Sequence, residues 1–155
     1  MLLAVERAHA ATRSVIPKKG CQLGACLLTL DLGYAGEAVE YVRGHYLRAE
    51  ETESGAVEHW WVEAGGVLLD PTRDQFPGES AFSESFAGRY VPKDRRPAGS
   101  IESEVYRQLQ FPWECAKSKD AVRVVVAEYQ LDMARLEELE PIVLGTGGSE
   151  VVARE

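Results

Sequence analysis

The chain has 155 residues, of which 45% are hydrophobic and 27% are charged, and its formal net charge is −8. This length suits one domain that buries about two-thirds of its surface, and the composition is that of a globular protein. The acidic balance, with no basic stripe to meet phosphates, argues against a nucleic-acid partner.

Neither a membrane partner nor an export signal is expected from the sequence. No apolar run approaches the roughly 20 residues that a membrane helix needs. The first ten residues, MLLAVERAHA, have no basic flank before an apolar core and so do not resemble a signal peptide. We therefore expect a cytoplasmic location.

The three cysteines occur without a CxxC pair. This spacing fits neither a disulfide framework nor a structural zinc site, so the sequence predicts no metal site. In a reducing compartment the remaining question is whether one of the thiols is reactive.

The first third of the chain predicts two helices and a strand. Residues 1–13 have the pattern of a short helix, and Pro17 and Gly20 then interrupt regular structure. The run CQLGACLLTLDLG, residues 21–33, places leucines close to helical spacing before its final glycine, which predicts a second helix. The alternation in residues 37–50 favours a strand.

A hairpin is predicted in the middle of the chain. Residues 52–55 form a turn, and residues 57–64 form a second strand. Gly65-Gly66 then closes a two-residue turn of the type that requires positive φ at both positions, and residues 67–70 form the returning strand.

The second half of the chain is less regular in pattern. Residues 71–100 are rich in Pro, Gly, Ser and charge, and we interpret them as a long irregular segment. Residues 120–140 resume a helical pattern, although VRVVVAEY can equally begin as a strand. Residues 145–155 resemble a flexible tail, which leaves one domain over residues 1–144. The predicted class is α+β, with a helix near the start packed on a small antiparallel sheet.

The hairpin geometry predicts a close pair of ionisable side chains. If the loop is Gly65-Gly66, Trp61 stands opposite Asp70, and side chains alternate between the two faces. His59 then lies diagonally from Asp70 on one face, about 7–8 Å apart at the backbone, while Trp60 faces a core. An imidazole and a carboxylate can close that distance to a hydrogen bond. The alternative interpretation is a solvated cross-strand pair with no function.

A histidine oriented by a carboxylate can activate a nucleophile, and Cys21 is the candidate. It opens a helix, where unpaired N–H groups and the helix dipole stabilise a thiolate, and Lys18 and Lys19 precede it. Backbone amides at such a helix start can also form an oxyanion hole. Cys26 is expected to be a small buried hydrophobe, and Cys115 stands at a helix end in FPWEC.

These motifs resemble those of transglutaminase-like and other papain-like cysteine enzymes. In that superfamily a Cys at a helix start is followed by an H-x-W-x-E strand and then by D-P-T, as in CQLGA, HWWVE and DPT here. DPTRDQF is also similar to a D-x-T-x-x-Q-F segment in small bacterial proteins of this fold. The resemblance covers residues 18 to 76 and implies a papain-like core and a catalytic triad of Cys21, His59 and Asp70.

The resemblance further implies cofactor-free acyl transfer on a protein or peptide substrate. The acceptor can be water, for amide hydrolysis, or an amine, for crosslinking. We assign substrate contacts to Trp61, Gln22 and Gln75, which stand in or beside the motifs.

Two alternatives belong to other functional classes. One is a non-catalytic protein of the same fold that binds a partner through residues 71–100 or through an acidic helix near residues 137–140. The other is a metal site that adds His45 to Cys21, His59 and Asp70, although such mixed sites without local spacing are rare.

Overall fold

The computed structural model describes residues 2–34, 36, 38–47, 56–76 and 89–139. Within these ranges five α-helices accompany one antiparallel sheet of four strands, so the predicted α+β class is confirmed. The predicted turn at residues 52–55, the tail at residues 145–155 and the domain boundary at residue 144 lie outside the described residues.

The helices fall into two groups along the chain. Two precede the sheet and three follow it, and no described helix has the length and apolar character needed to span a bilayer. They are α1 (Leu2–Val15), α2 (Cys21–Tyr34), α3 (Glu102–Glu114), α4 (Lys119–Glu128) and α5 (Met133–Glu137).

The sheet has the spatial order β3-β2-β1-β4, and every neighbouring pair is antiparallel. Its strands are β1 (Val39–Tyr46), β2 (Val57–Ala64), β3 (Val67–Leu69) and β4 (Tyr90–Pro97). The helix α2 packs on β1 and β2. The predicted arrangement, a cysteine-bearing helix on a small antiparallel sheet, is therefore confirmed.

The interpretation of residues 71–100 as irregular is wrong for β4. This strand carries two prolines and four charged residues and exposes most of its side chains, so it lacks the alternation that marks a half-buried strand. It nevertheless pairs with β1 along one edge of the sheet. Proline is tolerated on an edge strand because its missing N–H is not needed for a second ladder.

The described part of residues 120–140 contains two helices and no strand. Lys119–Glu128 is one helix, Gln130 has a positive φ of 54°, and Met133–Glu137 is a second, shorter helix. The side chain of Asp132 caps that second helix by accepting from the N–H of Ala134 at 3.0 Å.

The hairpin between β2 and β3 has the predicted register. Gly65 and Gly66 both have positive φ, 57° and 82°, which glycine adopts without steric cost. Ala64 pairs with Val67, and Val62 pairs with Leu69. The β3 ladder ends at Leu69, one residue before the predicted pairing of Trp61 with Asp70.

The sheet buries both of its faces in different surroundings. On the helix face, Tyr41, Trp60 and Val62 belong to the main hydrophobic core, which includes α1, α2, α3 and α4. On the other face lies a second, smaller cluster, which contains Val42, Tyr46, Trp61, Phe76 and Tyr90. The register of β1 against β2 aligns Gly44 with His59, which places His59 on the second face. We call this second face the dyad face, after the pair that His59 forms there with Asp70.

Candidate functional site

His59 and Asp70 meet on the dyad face. His59 Nε2 lies 2.7 Å from Asp70 Oδ2, so the contact predicted from the hairpin register is confirmed. An ionised carboxylate only accepts hydrogen bonds, so Nε2 carries the proton and donates a hydrogen bond to Asp70. In the neutral imidazole, Nδ1 is then left with its lone pair, and Nδ1 is buried without a hydrogen-bond partner among the described residues.

The pair is not a solvated cross-strand contact, and that alternative interpretation is wrong. The side chains of His59 and Asp70 are 0% and 1% exposed. A carboxylate at this depth loses its hydration, and removing its hydrogen-bond partner leaves a buried charge without compensation. The cost of that desolvation must be offset by the local hydrogen bonds.

Asp70 receives those hydrogen bonds from three residues. Besides His59, the hydroxyl of Tyr90 donates to Oδ2 at 2.6 Å. The backbone N–H and the hydroxyl of Thr72 donate to Oδ1 at 3.0 Å and 3.2 Å. Burial alone would raise the pKa of Asp70, but the charge of His59 and these hydrogen bonds lower it below its ordinary value. Asp70 therefore stays ionised and acceptor-only.

Aromatic rings surround the imidazole. Phe76 meets the His59 ring edge-on with centroids 5.0 Å apart, and Tyr46 stacks on Phe76 at 3.7 Å. Tyr90 and Trp61 lie 5.9 Å and 6.2 Å from the imidazole centroid. These rings limit the rotamers open to His59 and exclude water from the ion pair.

Gly44, the β1 partner of His59, makes this packing possible. A Cβ atom at Gly44 would lie 2.1 Å from the carbonyl oxygen of Val91 and 2.7 Å from Cη2 of Trp61. The register between β1 and β4 shifts at Arg43/Gly44. The glycine thus marks a close approach of backbone to side chain at an irregular point of the sheet.

The segment that follows Asp70 is held in place by α1. The ring nitrogen Nδ1 of His9 lies 2.8 Å from the carbonyl oxygen of Pro71. Arg13 donates to both carboxylate oxygens of Asp74, at 3.1 Å and 2.7 Å. Because Asp70 begins this segment, α1 helps to fix the position of its carboxylate.

Cys21 is the first residue of α2 and is fully buried. The chain turns into the helix through Lys19 and Gly20, whose φ values are 63° and 79°. A Cβ at Gly24, one turn after Cys21, would lie 3.0 Å from Cγ2 of Thr72. The first turn of α2 therefore packs against the segment that carries Asp70.

The other two cysteines differ from Cys21 in surroundings. Cys26 is fully buried in the main core, as expected, and burial raises the pKa of its thiol well above the ordinary range. Cys115 is exposed and directly follows the end of α3, in agreement with the predicted helix end.

The three residues assigned to substrate binding lie in separate places. Trp61 is fully buried on the dyad face, and its Nε1 donates to Glu63 at 3.1 Å. Gln22 donates to Glu104 of α3 at 2.7 Å. Gln75 follows Asp70 in the same segment, and its buried Nε2 has no hydrogen-bond partner among the described residues.

The four residues of the alternative metal site do not converge. The register that aligns Gly44 with His59 places the neighbouring His45 on the opposite face, paired with Glu58. Within the described ranges, no three His, Cys, Asp or Glu side chains are grouped so that they can hold a metal ion.

Sequence reasoning missed the contribution of Tyr90 to this site. Its hydroxyl bonds to Asp70, yet it lies in β4, the strand that the prolines and charges obscure. Thr72 had a local signal, since a Thr two residues after an Asp commonly returns hydrogen bonds to that carboxylate. Tyr90 had no such signal, because only the β1–β4 pairing brings it there.

No protein-family model, curated protein or solved structure matches the chain.

Proposed function

We propose that the chain is a cysteine-dependent acyl-transfer enzyme of the transglutaminase-like, papain-like type, acting in the cytoplasm. Cys21 is its nucleophile, His59 its general base and Asp70 the residue that orients the base. The observation that carries the proposal is the buried His59–Asp70 pair, which engages Nε2 and leaves the Nδ1 lone pair without a partner. A base used for proton transfer needs one nitrogen held and the other available.

The proposal requires the Cys21 thiol, which belongs to the main core, to reach Nδ1 of His59 on the dyad face. In the proposed reaction, His59 Nδ1 takes the proton of this thiol, and the thiolate attacks the carbonyl carbon of an amide. A carbon–sulfur bond forms, and charge develops on the carbonyl oxygen, where backbone N–H groups at the start of α2 can stabilise it. The imidazolium then returns the proton to the leaving amine as the carbon–nitrogen bond breaks. A thioester on Cys21 remains.

The thioester is discharged by a second nucleophile. His59 takes a proton from water or from an amine, the new bond to the carbonyl carbon forms, and the carbon–sulfur bond breaks to regenerate the cysteine. Water gives hydrolysis of a peptide or of a glutamine side-chain amide, and an amine gives transamidation. Asp70 stays ionised throughout and compensates the imidazolium charge.

Site-resolved alkylation tests this proposal on the full-length protein. Cys21 and Cys26 lie on the same helix and are both 0% exposed, so Cys26 is the internal reference for the labelling of a buried thiol. We expect iodoacetamide at pH 6 to label Cys21 at least about tenfold faster than Cys26, because only a thiolate reacts. Mass spectrometry of the digested protein gives both rates.

The matched variants are His59→Ala and His45→Ala, which remove histidines from opposite faces of the sheet. We expect His59→Ala to reduce the labelling of Cys21 to the level of Cys26, and His45→Ala to leave it unchanged. Equal labelling of Cys21 in wild type and His59→Ala would show that the imidazole does not serve this thiol.

The second candidate is a non-catalytic binding protein of the same fold. It is favoured by the complete burial of both Cys21 and His59, which a structural histidine–carboxylate pair and a structural core cysteine also require. In that case Cys21 and Cys26 should be labelled at similar rates. Formation of a Cys21 thioester with a small activated ester, detected by intact mass, would exclude this candidate.

A further inference from the structure

A cavity of about 480 Å³ opens on the helix face, between α2, α3 and the β1–β4 pair. It is lined by the arginines 43, 95, 96 and 107, with Tyr41 and Gln22. His59 and Asp70 point to the opposite face of the sheet, so this cavity is separate from the dyad. Its volume lies within the range of small-molecule sites.

The cavity is cationic in an otherwise acidic protein. Two carboxylates, Asp94 and Glu104, also line it, and both are already engaged. Asp94 accepts from Nε of Arg43 at 3.0 Å. Glu104 accepts from Gln22 at 2.7 Å and pairs with Arg107 at 3.3 Å. These carboxylates offset Arg43 and Arg107. The guanidinium of Arg95 pairs with Glu63 on the dyad face, so the positive charge left at the wall is that of Arg96.

Arg96 is the lining arginine for which the described residues supply no carboxylate. Among the described residues, no carboxylate lies within ion-pair distance of Arg96, whereas Arg95 pairs with Glu63 at 3.0 Å. Arg96 donates one hydrogen bond to the carbonyl of Ser100 at 2.7 Å and lies 5.8 Å from the ring centroid of Tyr41. The ring and this single bond orient a guanidinium that has donors to spare.

Tyr41 supplies a neutral donor beside that guanidinium. The residue is only 3% exposed, and its hydroxyl is buried without a hydrogen-bond partner among the described residues. Burial raises the pKa of Tyr41 above its ordinary range, and so does the neighbouring Cys26, while Gln22 acts in the opposite direction, so the hydroxyl keeps its proton. Because a thiol is a weak acceptor, an anionic oxygen from a ligand would give this buried donor a stronger partner.

We propose that this cavity binds a small organic anion whose carboxylate or phosphate oxygens pair with Arg96 and accept from Tyr41. The planar guanidinium matches such oxyanions through two parallel hydrogen bonds. Trp60, which is 2% exposed, provides an apolar wall for the body of the molecule. The inference is independent of the proposed acyl transfer, because it uses neither His59 nor Asp70.

Calorimetric titration of the full-length Cys21→Ala variant at low ionic strength tests this site without any contribution from the thiol. The probes are inorganic phosphate and succinate, which distinguish the two oxyanion chemistries. We expect saturable binding of one equivalent of at least one probe. Arg96→Gln should weaken it at least about tenfold, the scale of a charged hydrogen bond, and Tyr41→Phe severalfold.

The matched control is Arg123→Gln, which removes the same charge from α4, where Arg123 pairs with Asp120. This control should leave the affinity for the probe unchanged. Arg96→Lys should bind the probe more tightly than Arg96→Gln but less tightly than the parent protein, because lysine keeps the charge and lacks the planar pair of donors. Two-dimensional NMR spectra verify that each variant is folded. Non-saturable binding that Arg96→Gln and Arg123→Gln reduce alike, or no binding of either probe, would overturn the proposal.

Discussion

The two faces of the sheet bury different chemistry, although they are formed by the same strands. The helix face packs aliphatic and aromatic side chains, such as Val62 and Trp60, against α2. The dyad face buries a hydrogen-bonded pair, His59 and Asp70, inside a smaller aromatic cluster. Adjacent residues of β2, Trp60 and Trp61, belong one to each face, so the difference is encoded residue by residue along one strand.

This comparison shows that the same strands bury apolar side chains on one face and a polar pair on the other. Replacing a buried ion pair by well-packed hydrophobic residues is often neutral or stabilising. The helix face shows that this chain can pack such residues on the same strands. The proposed acyl transfer gives the His59–Asp70 pair, with its added bonds from Tyr90 and Thr72, a role other than packing. The predictions below test that difference between the faces.

The largest expected effect is on acyl transfer. Asp70→Asn keeps the size of the side chain but lets its amide donate, which favours the wrong imidazole tautomer. We expect the single-turnover acylation of Cys21 by a small activated ester to fall by about 10⁴-fold, as loss of an orienting carboxylate does in a serine protease triad. Stopped-flow release of the leaving group measures it.

The control for Asp70→Asn is Glu58→Gln, which neutralises a half-exposed carboxylate adjacent to His59 in sequence but on the helix-side face. Its acylation rate should equal that of the wild type. An Asp70→Asn protein that is folded and fully active would remove Asp70 from the mechanism and leave the dyad as a structural pair.

The next effect concerns stability on the dyad face. Gly44→Ala forces a methyl group into the space next to Val91 and Trp61, where the backbone must shift. We expect the free energy of unfolding to fall by about 3 kcal/mol, at the upper end of overpacking costs. Urea denaturation followed by tryptophan fluorescence measures this value.

Gly99→Ala is the matched substitution, because nothing lies within 4 Å of a Cβ at Gly99. Its unfolding free energy should change by less than about 0.5 kcal/mol, as expected of a surface substitution. Similar values for the two variants would mean that the close approach at Gly44 relaxes freely.

The smallest effect is the contribution of Asp70 to acid stability. Its folded-state pKa lies below the unfolded value of about 3.9, so its stabilisation is complete above that pH and is lost as the pH falls through the folded value. Urea unfolding at pH 7, 5 and 3 should show wild type and Asp70→Asn converging as the pH decreases.

Asp74→Asn provides the comparison for the acid series. Arg13 also lowers the pKa of Asp74 despite its partial burial, but the Asp74 side chain is 47% exposed and solvent screens the pair. Its curve should follow the wild type more closely than that of Asp70→Asn. A constant difference between wild type and Asp70→Asn from pH 7 to pH 3 would contradict the assigned pKa direction.

The sequence by itself determined the local elements and the pair at the centre of the candidate site. Gly65-Gly66 allows one tight turn, and the two-residue alternation of strands then places His59 and Asp70 on one face. The helix beginning at Cys21 followed from leucine spacing after Gly20. These features depend on residues close together in the chain, where propensity and turn chemistry act directly.

Only the tertiary structure decided which side chains complete the surroundings of that pair. Tyr90 reaches Asp70 because β4 pairs with β1. The prolines and charges of β4 remove the alternation of polar and apolar residues from which a strand is predicted. The depth of the dyad and the cationic cavity around Arg96 likewise arise from elements distant in sequence. Long-range contacts depend on how whole elements pack, and local periodicity carries no information about which elements meet.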